Sequence, residues 1–302
     1  MADQADSLKS IQFALFANSS IAVAKGVAAA MTGSGAMLAE TIHSVADSGN
    51  QLLLMLGLRQ TKKPPTDDHP LGFGKSIYFW SFLVAVILFS VGGMFSLYEG
   101  VHKLLHPTPL SYPWVAIAVL GFAIVAESIS LWGCLREVHK ERYGRNIFQW
   151  FRQSRSSALI VVFGEDVAAL LGLVFALAAI FATYITGNPL WDAVGTIFIG
   201  ILLIVVAFFV AVEVKDLLIG QSVDPTELEK MRQFLHRSPE IDRVYNLITM
   251  QFGPDAMVAV KARMIPTGSE IDLIAAINKV ESAFRREFTS VAWLFFEPDI
   301  TD

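Results

Sequence analysis

Apolar residues do not alternate along the first two-thirds of this chain; they run in blocks. Six blocks can be drawn, at roughly 8–31, 36–58, 77–100, 112–135, 156–183 and 187–214. Each is long enough for a helix to cross a bilayer, which takes about 20 residues. Turn-forming or polar stretches separate them: Thr32-Gly33-Ser34-Gly35, Lys62-Lys63-Pro64-Pro65, His106-Pro107-Thr108-Pro109 and Gly187-Asn188-Pro189. The pattern predicts six membrane helices within residues 1–218.

After about Leu218 the periodicity changes. Pro225 to Leu235 reads as an amphipathic helix, and Val244 to Phe252 and Met257 to Met264 as strands joined across Gly253-Pro254-Asp255. Ser269 with Asp272 resembles a capping box, opening a helix whose apolar face is Leu273, Ile274, Ile277, Val280 and Phe284. Ser290 to Phe296 closes as a strand. An α-β-β-α-β order over residues 219–302 fits a small α+β domain of ferredoxin-like type. Its core is thin, and such domains often gain stability by pairing with a second copy.

Composition agrees with the blocks. Of 302 residues, 54% are hydrophobic and 17% charged, too apolar for an ordinary soluble protein and fitting a multi-span one. A net charge of −5 argues against nucleic acid as a partner. The lone Cys134 lies in an apolar block, so neither a disulfide framework nor a cysteine zinc finger exists, and packing is its expected role. Met1 to Lys9 is polar, without a basic n-region or cleavage site, and reads as an uncleaved lead-in to the first span.

Charge sets sidedness. Arg59, Lys62, Lys63 and Lys75 follow the second block, and Arg136, Lys140, Arg142, Arg145, Arg152 and Arg155 follow the fourth, ten cations against Lys103 alone on the other side. The positive-inside rule puts those two loops, and with them both termini, in the cytoplasm. With no Arg-rich transit leader, the expected location is a bacterial inner membrane.

Ionisable groups inside apolar blocks are costly and mark function. His43 and Asp47, at i and i+4, share one helix face and can reach one small cation together. Nitrogen plus oxygen donors suit a borderline divalent metal such as zinc; the alternative is a His–Asp hydrogen bond tying two helices together. Glu165 and Asp166 form a second acidic pair in the fifth block. Asp166 would complete three ligands on two helices, with Glu165, Asn50 or a water as the fourth. Glu40, one turn before His43, would orient the imidazole or line the entry path. Glu127 in the fourth block fits structural pairing and pathway lining equally, and Asp192 and Glu213 lie near the ends of the sixth, where interfacial roles are expected. Lys25 in the first block is a single cation that can snorkel or face a wet cavity, snorkelling being the simpler reading. Asp67, Asp68 and His69 cluster in the first basic loop, as a solvated turn or a loading site for the ion.

Six blocks, His43-x-x-x-Asp47, the Asp68-His69-Pro-x-Gly-x-Gly-Lys75 loop and a small soluble tail together resemble the cation diffusion facilitator family. That resemblance implies a homodimeric metal/proton antiporter exporting zinc or a similar divalent ion. It further implies a tetrahedral site between spans 2 and 5 and a ferredoxin-like tail that dimerises. Many zinc members carry His-x-x-x-Asp in span 5; here the first of those positions is Val162, and Glu165 precedes Asp166 as in a Glu-Asp branch that includes mitochondrial-type zinc carriers. Phe73 stands where some members have a second loop histidine, and His236 is the tail's only histidine, which argues against a binuclear centre there. The expected substrates are a divalent metal and protons, with cobalt, iron, nickel and manganese open beside zinc. No resident cofactor and no enzyme activity are expected. The other function classes are a metal-gated channel or sensor and an intramembrane metalloenzyme; against the enzyme, the chain lacks His-Glu-x-x-His and Gly-x-Ser-x-Gly.

Overall fold

The structure, a computed structural model, describes residues 18–301. The lead-in Met1 to Lys9 and the start of the first apolar block lie outside the described residues. Helix α1 occupies 18–32. It is followed by α2 (Gly35–Thr61), α3 (Ser76–Leu105), α4 (Pro113–Glu141), α5 (Ile147–Gln153), α6 (Ser157–Thr186) and α7 (Leu190–Ile219). Four of these, α3, α4, α6 and α7, are long and apolar enough to cross a membrane. Of the six spans expected, the described residues show four. In α2 the polar face Glu40, His43, Ser44, Asp47 and Asn50 turns inward and buries most of its polar groups, so the helix is continuous without being uniformly apolar.

Local chemistry sets the helix ends. The Ser34 hydroxyl accepts the Met37 amide and starts α2. Pro113 opens α4, where its missing N–H costs nothing. Gly187, at φ 69°, ends α6 in the left-handed conformation that suits glycine. Two features escape the sequence pattern. α5 sits in the basic loop after α4, opened by a capping box between Asn146 and Gln149. Its Trp150 is buried against Phe163, Val138 and Cys134, so the cysteine is a packing residue. Within α3, residues Leu88–Met94 wind as a π-helix, and the Ser96 hydroxyl donates to the Gly92 carbonyl there.

The tail has the expected α-β-β-α-β order: α8 (Pro225–Arg237), β1 (Ile241–Phe252), β2 (Asp255–Met264), α9 (Glu270–Glu287) and β3 (Val291–Pro298). The sheet runs β1-β2-β3, antiparallel between β1 and β2 and parallel between β2 and β3. Ala256, Val258, Val260 and Ala262 point to one face, where Met231 and Leu235 of α8 and Val280 and Phe284 of α9 cover them. The turn between β1 and β2 uses Gly253 at φ 64°, and its amide donates to the Tyr78 hydroxyl of α3. Arg145 to Asp224 at 2.7 Å and Arg155 to the Ser222 carbonyl add further ties between the basic loop and the tail. Ser269 caps α9 by accepting the Asp272 amide at 3.2 Å. Ser269→Ala is expected to cost the tail about 1 kcal/mol, read as faster hydrogen exchange at the first-turn amides of α9.

Candidate metal site

Along α2 the polar residues fall at Glu40, His43, Asp47 and Asn50, steps of three and four that keep them on one face. They span about 15 Å of helix axis at 1.5 Å per residue. Across from them, α6 presents Glu165 and Asp166. Asn50 donates to Glu165 Oε1 at 2.6 Å, so the amide positions one carboxylate and crosses from α2 to α6. His43 Nδ1 lies 3.4 Å from Asp47 Oδ1. The two are not aligned as a hydrogen bond, and both atoms are buried without a hydrogen-bond partner among the described residues.

Between α1, α2, α4 and α6 is a cavity of about 60 Å³, room for an ion and a water or two. Asp47, Glu127, Glu165 and Asp166 all line it, together with Ser44 and Ser130. Glu127 thus lines this cavity. Ser130, one turn beyond it on α4, donates to Asp166 Oδ1 at 3.2 Å. The signal for Ser130 was its i, i+3 spacing from Glu127 within an apolar helix.

His43 Nδ1 and Nε2, Asp47 Oδ1, Asn50 Oδ1 and Asp166 Oδ2 are all buried with no hydrogen-bond partner among the described residues. Buried polar groups are nearly always paired, so such a concentration calls for an explanation, of which an ion is one. Among the described residues, no three His, Cys, Asp or Glu side chains stand close enough to hold one ion together. Asp67, Asp68 and His69 are exposed, with the His69 ring stacked on Phe73 at 4.5 Å.

On the side away from the basic loops the site is closed. Ala36 and Met37 are wholly buried with Leu88, Leu120, Leu173 and Ile199. Beyond that plug, Asp192 of α7 accepts the Ser34 hydroxyl at 2.5 Å and the Gly35 amide at 2.7 Å, and Lys103 lies 3.2 Å from it. Asp192 thus anchors the start of α2. The snorkelling expected of Lys25 does not occur: its ammonium is buried, 3.1 Å from Glu40 Oε2 and 2.7 Å from Ser44 Oγ. An ion-pair partner inside the helix bundle offsets the cost that would otherwise drive it to the interface.

Residues 11–219 match the family model for the cation efflux transmembrane domain. The chain belongs to the cation diffusion facilitator family. Among similar proteins, the proton-coupled zinc antiporter SLC30A9, mitochondrial, of Xenopus laevis is 35% identical over 224 residues, 74% of this chain and 40% of the relative. Metal tolerance protein C4 of Arabidopsis thaliana is 33% identical over 220 residues, 72% of this chain and 48% of that protein. The cation-efflux pump FieF of Escherichia fergusonii is 24% identical over 261 residues, covering 85% of this chain and 81% of the pump. The chain therefore spans less than half the length of its more similar relatives.

These relatives correct the expected location. The expected bacterial inner membrane, with both termini cytoplasmic, is overturned: the SLC30A9 antiporters of Xenopus laevis, Mus musculus and Homo sapiens, which match at 32–35% identity, are named as mitochondrial. The physical reason is that loop charges define which loops share a side and not which compartment that side faces. The composition of the first residues carries no address when the relatives extend far beyond the matched region.

Proposed function

We propose that this chain is a proton-coupled exporter of divalent metal ions, zinc first, working in a mitochondrial membrane. The observation that carries the reading is a cavity walled by four carboxylates, among them Asp47 and Asp166 with buried oxygens that find no hydrogen-bond partner among the described residues, with the His43 imidazole 3.4 Å from Asp47, in a member of a cation efflux family. His43, Asp47 and Asp166 are the proposed ligands, with Glu165 as the fourth and Asn50 holding it in place. Glu40 lies beyond His43 along the path, and Asp67, Asp68 and His69 form the loading site on the basic-loop side. The proposed ligands are divided between α2 and α6, so an ion held by them ties the two helices together, and alternating access would move them as a unit or apart. Metal binding needs deprotonated carboxylates and a neutral imidazole, so protons leave as the metal arrives and return as it departs. The buried plug around Met37 closes the far side meanwhile. The ion thus enters from the side of the basic loops, the matrix side here, and leaves opposite.

The proposed organisation is a six-helix membrane domain over 1–218, with α1 and α2 completing the six, and a ferredoxin-like tail over 219–302. A homodimer is part of the same proposal. The sheet face away from α8 and α9 carries Ile248 and Phe295, both more than half exposed, paired through Ala259, and a second tail would cover it.

The test follows zinc uptake and lumenal pH together in proteoliposomes holding the full chain, for the parent and for Asp166→Ala. Zinc movement with opposing proton flux, lost in the variant, is the expected result. Zinc flux that moves no protons would replace the antiporter with a channel. If zinc, cobalt, iron, nickel and manganese all fail to move, the transport reading falls.

A further inference from the structure

We infer that Lys25 is a tethered cation of the metal site, a positioning residue that, with Glu40, sets how tightly the site holds a divalent ion. The inference rests on the metal-exchange reading above.

Lys25 is fully buried midway along α1. One partner of its ammonium, Ser44 at 2.7 Å, lines the same cavity as Asp47, Glu165 and Asp166. The other, Glu40 Oε2 at 3.1 Å, belongs to the residue one turn from His43. The ammonium therefore stands directly behind Ser44 of the cavity wall, bonded to a carboxylate one turn from the proposed ligand His43. Charges in such a setting are weakly screened, and interactions persist over a helix turn or more.

A simple clamp between α1 and α2 would use both oxygens of its carboxylate. Here Glu40 Oε1 is buried with no hydrogen-bond partner among the described residues. It is directed at α6, where a Cβ on Gly172 would lie 2.4 Å from it. The absent side chain leaves the carboxylate against the same helix that carries Glu165 and Asp166. Glu40 thus faces a cation on α1 and the ligand-bearing helix α6 at once. Its negative charge offsets Lys25, and the pair holds the field at the site near the level that admits a dication and still releases it.

That arrangement makes a prediction about rescue. Glu40→Gln leaves the Lys25 charge uncompensated beside the site, and is expected to weaken zinc binding at least tenfold. Adding Lys25→Met removes the repulsion, and the double variant is expected to return to within about threefold of the parent. Zinc affinity is read by isothermal titration of the full chain in detergent, with thermal unfolding as the check on folding and Asp47→Asn as the site control. A purely structural clamp predicts the opposite pattern, parental affinity in Glu40→Gln or no recovery in the double variant, and either result overturns the inference. Should Glu40→Gln not fold, Lys25→Met alone decides: affinity no weaker than parental supports the tethered cation, and a loss of more than threefold refutes it. If zinc binding survives Asp47→Asn undiminished, the metal-site reading itself fails. If binding is lost there but no rescue occurs, only the role of Lys25 does.

Discussion

Asp47→Asn is expected to slow zinc uptake into proteoliposomes at least 100-fold while making the protein more resistant to heat. The two effects have one cause. Asp47 Oδ1 is buried with no hydrogen-bond partner among the described residues, so the folded chain bears the cost of a desolvated acceptor on a carboxylate, about 1–3 kcal/mol or more. Asparagine removes the charge and keeps the shape, so the cost falls and the ligand is lost together. A residue kept only for packing would behave the other way, with stability lost and transport little changed. Asn50→Ala is the companion case. Asn50 acts through its 2.6 Å hydrogen bond to Glu165, and loss of such a supporting contact costs about 10–100-fold in metal affinity. Rates and melting temperatures for the two variants, measured in the same lipid, separate a ligand from its support. A heat-labile Asp47→Asn that still transports would place Asp47 outside the site.

Much of this was legible in the chain, and the part that was not has a physical reason. Hydropathy is a local quantity, so the four most apolar helices α3, α4, α6 and α7 stand out in sequence and in structure. α2 carries its function on one inward face, and that face lowers the hydropathy that would mark it as a span. Residue spacing along one helix foresaw that Glu40, His43 and Asp47 share a face. It could not foresee which residue of another helix meets each of them, because that depends on how the helices pack. Hence the Asn50–Glu165 bond, the place of Glu127 in the cavity and the contact of Ser130 with Asp166 appear only in three dimensions. Lys25 is the clearest case. A lone lysine in an apolar run reads as a snorkelling residue until its partner, 15 positions away, is found beside it. In the tail, alternation and turn residues located all three strands to within a few residues, since strand pairing across Gly253 is local. The short helix α5 was missed because one turn of capping chemistry around Asn146 weighs little in a loop rich in arginine.

The largest stability change is expected from Gly200→Ala. A Cβ at Gly200 would lie 2.7 Å from the Leu97 backbone nitrogen and 3.0 Å from the Gly93 carbonyl oxygen. Backbone atoms of a helix cannot step aside one at a time, so α3 and α7 would have to part along their seam. Gly93 and Gly100 meet α7 just as closely, at Ile204 and Ile197. In a bilayer the apolar solvent gives helices no hydrophobic reason to associate, and close packing of small residues supplies much of the attraction. Overpacking usually costs about 1–3 kcal/mol, and the rigid contact here puts Gly200→Ala at the upper end. For a chain of this size about 3 kcal/mol corresponds to a fall of roughly 6–12 °C in the melting temperature. Gly121→Ala, on α4 with nothing within 4 Å of the new methyl, is the control and should gain about 0.5–1 kcal/mol from helix propensity. The π-helical segment Leu88–Met94 makes the comparison sharper. It re-registers α3 at Gly92 and Gly93, bringing Gly93 and Gly100 onto the α7 side, and a π segment of this kind is commonly kept for a functional reason. With α3 and α7 locked together in this way, movement of α2 and α6 around the cavity has a fixed frame to work against. Gly200→Ala loosens that frame without touching a ligand, so it should lower transport and melting temperature in parallel, unlike Asp47→Asn, which drives them apart.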